Sequence, residues 1–145
     1  MTSYELQDEE RLTIVGISDR VSNAERSKIG DLWRRFHALG DGKDIPGRLS
    51  DAAYGVYCEY AGDYTQPFTA VVGCAVAPDA VAPEGMRKVA IEAGRFAVYR
   101  PTGEMPHGVF ETWAEIWATP LERSYQADYD RYGGGKPVEI HVGVR

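Results

Sequence analysis

One order of elements, strand, helix, strand, strand, can be read twice along this chain. That repetition limits the folds open to it more than any other feature. In the first half the apolar, β-branched run Leu12–Ile17 predicts a strand. Ile29, Leu32, Trp33, Phe36 and Leu39 then recur at helical spacing, with Ser27 as the expected cap and Gly40 as the expected stop. Tyr54–Tyr60 and Phe68–Val76 predict a hairpin. A Pro- and Gly-containing linker covers 77–86, and the order then begins again. Lys88–Ile91 and Arg95–Arg100 read as one strand interrupted at Ala93-Gly94. A second helix near Pro106 carries Val109, Trp113, Ile116 and Trp117 on one stripe, with Phe110 at its margin. Tyr125–Tyr132 and Val138–Val144 close the set as a hairpin.

Details repeat with the order. Ile29-x-x-x-Trp33-x-x-Phe36 matches Val109-x-x-x-Trp113-x-x-Ile116, and Tyr57-x-x-Tyr60 recurs 72 residues later as Tyr129-x-x-Tyr132. Internal repeats set the architecture. The expected fold is therefore α+β: duplicated βαββ modules with pseudo-twofold symmetry, an antiparallel sheet and two helices packed on one face. The modules are expected at about 11–77 and 86–145, within a single domain spanning 1–145. The first ten residues read only as an acidic, polar lead.

Charge narrows the function. Sixteen Lys and Arg against twenty-two Asp and Glu give a net charge of -6. With no basic cluster, direct binding of nucleic acid or of an anionic membrane surface is not expected. No apolar run reaches the ~20 residues of a membrane span, and no secretory signal is read at the start. A cytoplasmic protein with reduced Cys58 and Cys74 is expected, and a hairpin would hold those two thiols out of register. His37, His107 and His141 have no metal-ligand spacing. No metal and no cofactor are expected. Gly133-Gly134-Gly135-Lys136 lacks the spacing and the following helix of a phosphate loop, and predicts a hairpin turn.

The candidate site is aromatic and acidic. Trp33, Phe36, Tyr57, Trp113 and Trp117 could supply rigid ring surface to a concave pocket, with Phe96 a lesser candidate. On a strand, Asp128, Asp130 and Tyr132 share one face. A carboxylate there would be relieved by a cationic ligand or by an internal cation, and the pattern leaves both open.

These residues resemble the GyrI-like small-molecule-binding family, which includes the effector-binding domains of AraC-type and MerR-type multidrug regulators. The resemblance rests on the tryptophan of the second helix, on Ala127-Asp128-Tyr129-Asp130-Arg131-Tyr132 and on the alternating strand Val138–Val144. Lys28–Phe36, Tyr54-Gly55-Val56-Tyr57 and Glu104-Met105-Pro106 are similar to the standalone branch found in integron cassettes. The resemblance implies a cleft between helices and sheet in which Asp130, where the family usually has Glu, meets hydrophobic, cationic compounds, with Tyr132 nearby. It implies a non-enzymatic binder lacking a helix-turn-helix domain of its own. Such a binder leaves room for a homodimer or a partner regulator. Two other classes stay open: a GyrI-like hydrolase of electrophilic compounds with Asp130 or Glu115 as base, and a protein-interaction module like the family's topoisomerase inhibitors.

Overall fold

The computed structural model describes residues 3–102, 104 and 107–145. Eight strands form one antiparallel sheet: β1 (Tyr4–Glu9), β2 (Leu12–Val21), β3 (Ala53–Cys58), β4 (Phe68–Ala75), β5 (Arg87–Ile91), β6 (Gly94–Tyr99), β7 (Arg123–Tyr132) and β8 (Glu139–Val144). Helix α1 (Arg26–Ala38) follows β2, and α2 (His107–Ala118) follows β6.

The strand order is β1-β6-β8-β7-β3-β4-β2-β5. Exchanging β1–β4 with β5–β8 gives the same order read backwards. The duplication is therefore real at the level of topology, with each half ββαββ where βαββ was expected, and its pseudo-twofold axis passes between β3 and β7. There Gly55 faces Asp130 and Tyr57 faces Asp128.

Short linkers dictate the curvature. Residues 10–11 join β1 at one edge to β2 next to the other edge, and residues 92–93 join β5 to β6 in the same way. Two residues span at most about 7 Å, so the sheet must curl until its ends adjoin. Arg11 of one linker pairs with Glu92 of the other at 3.1 Å. Glycine permits tight approach within the curl. A Cβ on Gly16 would lie 2.1 Å from the Val72 carbonyl oxygen, and one on Gly73 would lie 2.0 Å from that of Val15.

Alternation then sorts the side chains. Ile14, Val56, Val71, Phe96, Val98 and Tyr129 fill the inside of the curl. Val15, Ile17, Val72 and Cys74 face outward under Leu32 and Phe36 of α1. Ala97, Tyr99, Ile140 and Val142 face outward under Val109 and Ile116 of α2. Both helices thus pack on one face, over the outer strands of each half. On a surface curved away from them they diverge above β3 and β7.

Several expectations change in detail. The acidic lead is an edge strand, β1, paired with β6. Its inward residues are Glu5, Gln7 and Glu9, so it has no apolar alternation to betray it. Glu9 nevertheless accepts hydrogen bonds from Tyr129 Oη at 2.5 Å and pairs with His141 Nδ1 at 2.6 Å. The interrupted strand is two strands, β5 and β6, near opposite ends of the sheet. The first strand continues through the polar Ser18–Val21, which pairs with Phe68–Val71. Ser27 lies inside α1, which starts at Arg26 after a 3-10 turn at Asn23–Glu25. Gly40, at φ 90°, does follow the helix end. Pro106 and Met105 lie outside the described residues. The 72-residue tyrosine match is not an equivalence: Tyr57 faces the helices and Tyr129 the inside of the curl. Cys58 and Cys74 face opposite sides of the sheet as free thiols. Gly133, Gly134 and Gly135 all adopt positive φ, as the tight β7–β8 turn requires.

Candidate functional site

Where the helices diverge, a cavity of about 530 Å³ opens over the pseudo-twofold axis. Helix α1 contributes Ile29, Gly30 and Trp33, and α2 contributes Val109, Trp113 and Trp117. Strands β3 and β7 form the floor with Tyr57, Asp130 and Tyr132. The 59–67 hairpin adds Tyr60 and Tyr64 at one end.

The rings hold one another at fixed angles. Trp33 meets Tyr132 edge-on at 5.0 Å, and Trp113 meets Tyr57 edge-on at 5.7 Å. Tyr64 stacks on Trp117 at 5.8 Å, with Asn23 Nδ2 donating to the Tyr64 carbonyl at 2.7 Å. Edge-to-face contacts of this kind restrict each ring and keep the hollow preformed. Gly55 leaves room beneath it: a Cβ there would sit 3.2 Å from both Trp33 Cζ2 and Tyr57 Oη, a tight contact.

Asp130 is the charged centre of the floor, 1% exposed. Tyr57 Oη donates to its Oδ2 at 2.6 Å, Tyr132 Oη to the same oxygen at 3.2 Å, and Trp113 Nε1 to Oδ1 at 3.0 Å. Burial raises its pKa to about 6 despite these three bonds, which oppose the rise. Burial and the adjacent Asp130 charge drive the Tyr57 and Tyr132 hydroxyls upward, so they remain donors. Among the described residues no Lys, Arg or His lies within ion-pair distance of Asp130.

Asp128, two residues earlier on the same face, is 0% exposed and differently served. Arg123 Nη2 donates to its Oδ2 at 2.7 Å, the Gly143 N–H to its Oδ1 at 2.9 Å, and Tyr60 Oη also donates to it. A bulge between Arg123 and Asp128, with Tyr125 at φ 54°, brings that arginine beside that carboxylate.

Six of the eight predicted ligand residues line the cavity: Trp33, Tyr57, Trp113, Trp117, Asp130 and Tyr132. Phe36 does not. It lies one turn further on, 1% exposed, packed beneath Trp33 against the sheet. Phe96 is on the other side of the sheet, because strand alternation gives the helix face of β6 to Ala97 and Tyr99. Sequence reading missed Tyr60, Tyr64 and Arg123. The tyrosines sit in or beside a turn with no periodicity, and Arg123 is aimed by a bulge that leaves no pattern. Among the described residues no cluster of three or more His, Cys, Asp or Glu could hold a metal ion. No described helix is long and apolar enough to cross a membrane.

A preformed hollow between two helices, astride the symmetry axis of a duplicated sheet, is the build of an α+β effector-binding domain. The chain belongs to the family of integron-associated effector binding proteins, whose profile matches residues 5–141. Among solved structures it is similar to an integron cassette protein of Vibrio cholerae, with 28% identity and a TM-score of 0.79 over 99% of this chain and 96% of that one. SAV2435, solved with tetraphenylphosphonium bound, shares the fold at 16% identity and a TM-score of 0.77, over 99% of this chain and 94% of that one. The EcmrR C-terminal domain does so at 9% identity and a TM-score of 0.59, over 100% of this chain and 98% of that one. No curated protein matches the sequence.

Proposed function

We propose that this protein, acting as one effector-binding domain from the halves β1–β4 and β5–β8, binds hydrophobic organic cations in the helix–sheet cavity. Asp130 supplies the counter-charge, and Trp33, Tyr57, Trp113, Trp117 and Tyr132 supply the ring surface. The observation that carries this reading is a buried carboxylate that has, among the described residues, no cationic partner at the floor of an aromatic hollow. An isolated buried charge is unfavourable, so a ligand that neutralises it gains affinity. Ring faces add about 0.5–2 kcal/mol of cation–π attraction.

The hydrogen bonds refine the ligand class. Both oxygens of Asp130 already accept bonds from the protein. Three of its roughly four acceptor positions are therefore filled, and the carboxylate offers charge with little demand for donors from a guest. That suits a quaternary or delocalised cation better than an ammonium, whose three N–H groups would outnumber the acceptor position left on Asp130. The tetraphenylphosphonium bound by SAV2435 is a cation of this class.

Titration of tryptophan fluorescence with 1-methyl-4-phenylpyridinium and with neutral 4-phenylpyridine at about pH 8 tests the proposal. Asp130→Asn should weaken the cation by about tenfold or more and the neutral probe by less than about twofold. Equal losses for both probes would refute the role given to Asp130.

A further inference from the structure

The cavity contains a second charged assembly that the proposed cation site does not use. Arg123 also lines it, yet is 5% exposed. Its Cζ lies 4.4 Å from the Tyr125 ring centroid and 5.8 Å from that of Trp113, and its Nη2 pairs with Asp128. Arg123 is thus itself a cation seated between rings beside a buried carboxylate. The fold has two such seats, at Asp128 and at Asp130, and Arg123 fills one of them. Trp113 connects them: its Nε1 donates to Asp130 while its ring faces Arg123. Among the described residues, Arg123 Nε and Nη1 are buried without a hydrogen-bond acceptor, and Asp128 is its ion-pair partner.

We propose that Arg123 is a specificity-determining residue that restricts the cavity to ligands carrying a single positive charge. The inference rests on the cation site at Asp130. Asp128 and Arg123 cancel, which leaves the buried floor one net negative charge. A rod-shaped dication with one end at Asp130 would bring its second charge toward the fixed guanidinium, where little water is present to screen the repulsion. Arg26, also at the cavity, is exposed and therefore screened.

The test uses 1-methyl-4-phenylpyridinium and methyl viologen, which have nearly the same size and shape and differ by one charge. The full chain should prefer the monocation by about tenfold or more. Arg123→Gln should improve methyl viologen about tenfold more than the monocation. Arg123→Lys keeps the charge and changes the shape, so it should show no such gain. An equal gain in Arg123→Lys would show that Arg123 acts by bulk and would overturn the inference. Unchanged discrimination in Arg123→Gln would overturn it too. If Arg123→Gln does not fold, by near-ultraviolet circular dichroism, Asp128→Asn is compared with the Arg123→Gln/Asp128→Asn double variant. Removal of the arginine should again favour the dication about tenfold, and no change would overturn the inference. Failure of the monocation to bind the unmodified protein, or to lose affinity in Asp130→Asn, would overturn the cation-site reading instead.

Discussion

Replacement of Asp130 by Asn should stabilise the ligand-free protein while weakening its binding of cations. A carboxyl moved by burial from the ordinary 3.8 to about 6 carries, once ionised, a folding penalty of about 3 kcal/mol. Below about pH 4 the group is protonated in both folded and unfolded states and the penalty is absent. Between about pH 4 and 6 only the unfolded state gives up its proton, so stability falls as pH rises. Above about pH 6 the full penalty applies. The amide removes this dependence, and the surrounding groups can accept it. Its oxygen can take the place of Oδ1 and receive the Trp113 Nε1 bond, while its NH₂ can replace Oδ2 and donate to the hydroxyls of Tyr57 and Tyr132, which rotate to accept. For a chain of this size about 3 kcal/mol corresponds to a rise of roughly 6–12 °C in Tm. Thermal denaturation of both proteins from about pH 4 to 8, followed by circular dichroism, measures it. The difference should be small at pH 4, grow to pH 6 and then level off. An Asp130→Asn variant that is less stable at pH 8, or a difference that does not vary with pH, would refute the assignment of Asp130 as a strained, buried charge.

Trp113→Phe keeps a ring but deletes one of the three bonds that hold the Asp130 pKa down, so the pH step in stability should move above 6; thermal melts across pH would show it. Gly55→Ala places a methyl group 3.2 Å from Trp33 and from Tyr57 Oη, and should cost about 1–3 kcal/mol of stability and weaken both the cationic and the neutral probe, as read by melts and fluorescence titration.

The duplication was legible because both halves repeat strand, helix, strand, strand, although each half opens with one strand more than was read. The curl was not, since it follows from which edges the two-residue linkers join. β1 escaped notice because an edge strand needs no apolar face: its inward Glu9 is satisfied by Tyr129 and His141 instead. Within the site, period-2 alternation placed Asp128, Asp130 and Tyr132 on one face of β7 correctly, and helical spacing brought Trp33 and Trp113 to the cavity. Alternation cannot say which face of a strand meets a helix, and Phe96 was misplaced for that reason. Nor does it predict a bulge, so the partnership of Arg123 with Asp128 was invisible before the fold was known.

The central claim is that the hollow over the pseudo-twofold axis receives a lipophilic cation at Asp130. A crystal structure of the protein with 1-methyl-4-phenylpyridinium tests it most directly. The pyridinium ring should lie between Trp33 and Trp113, with its positive end directed at the Asp130 carboxylate. A ligand bound elsewhere, or one seated in the hollow with its charge directed away from Asp130, would contradict it.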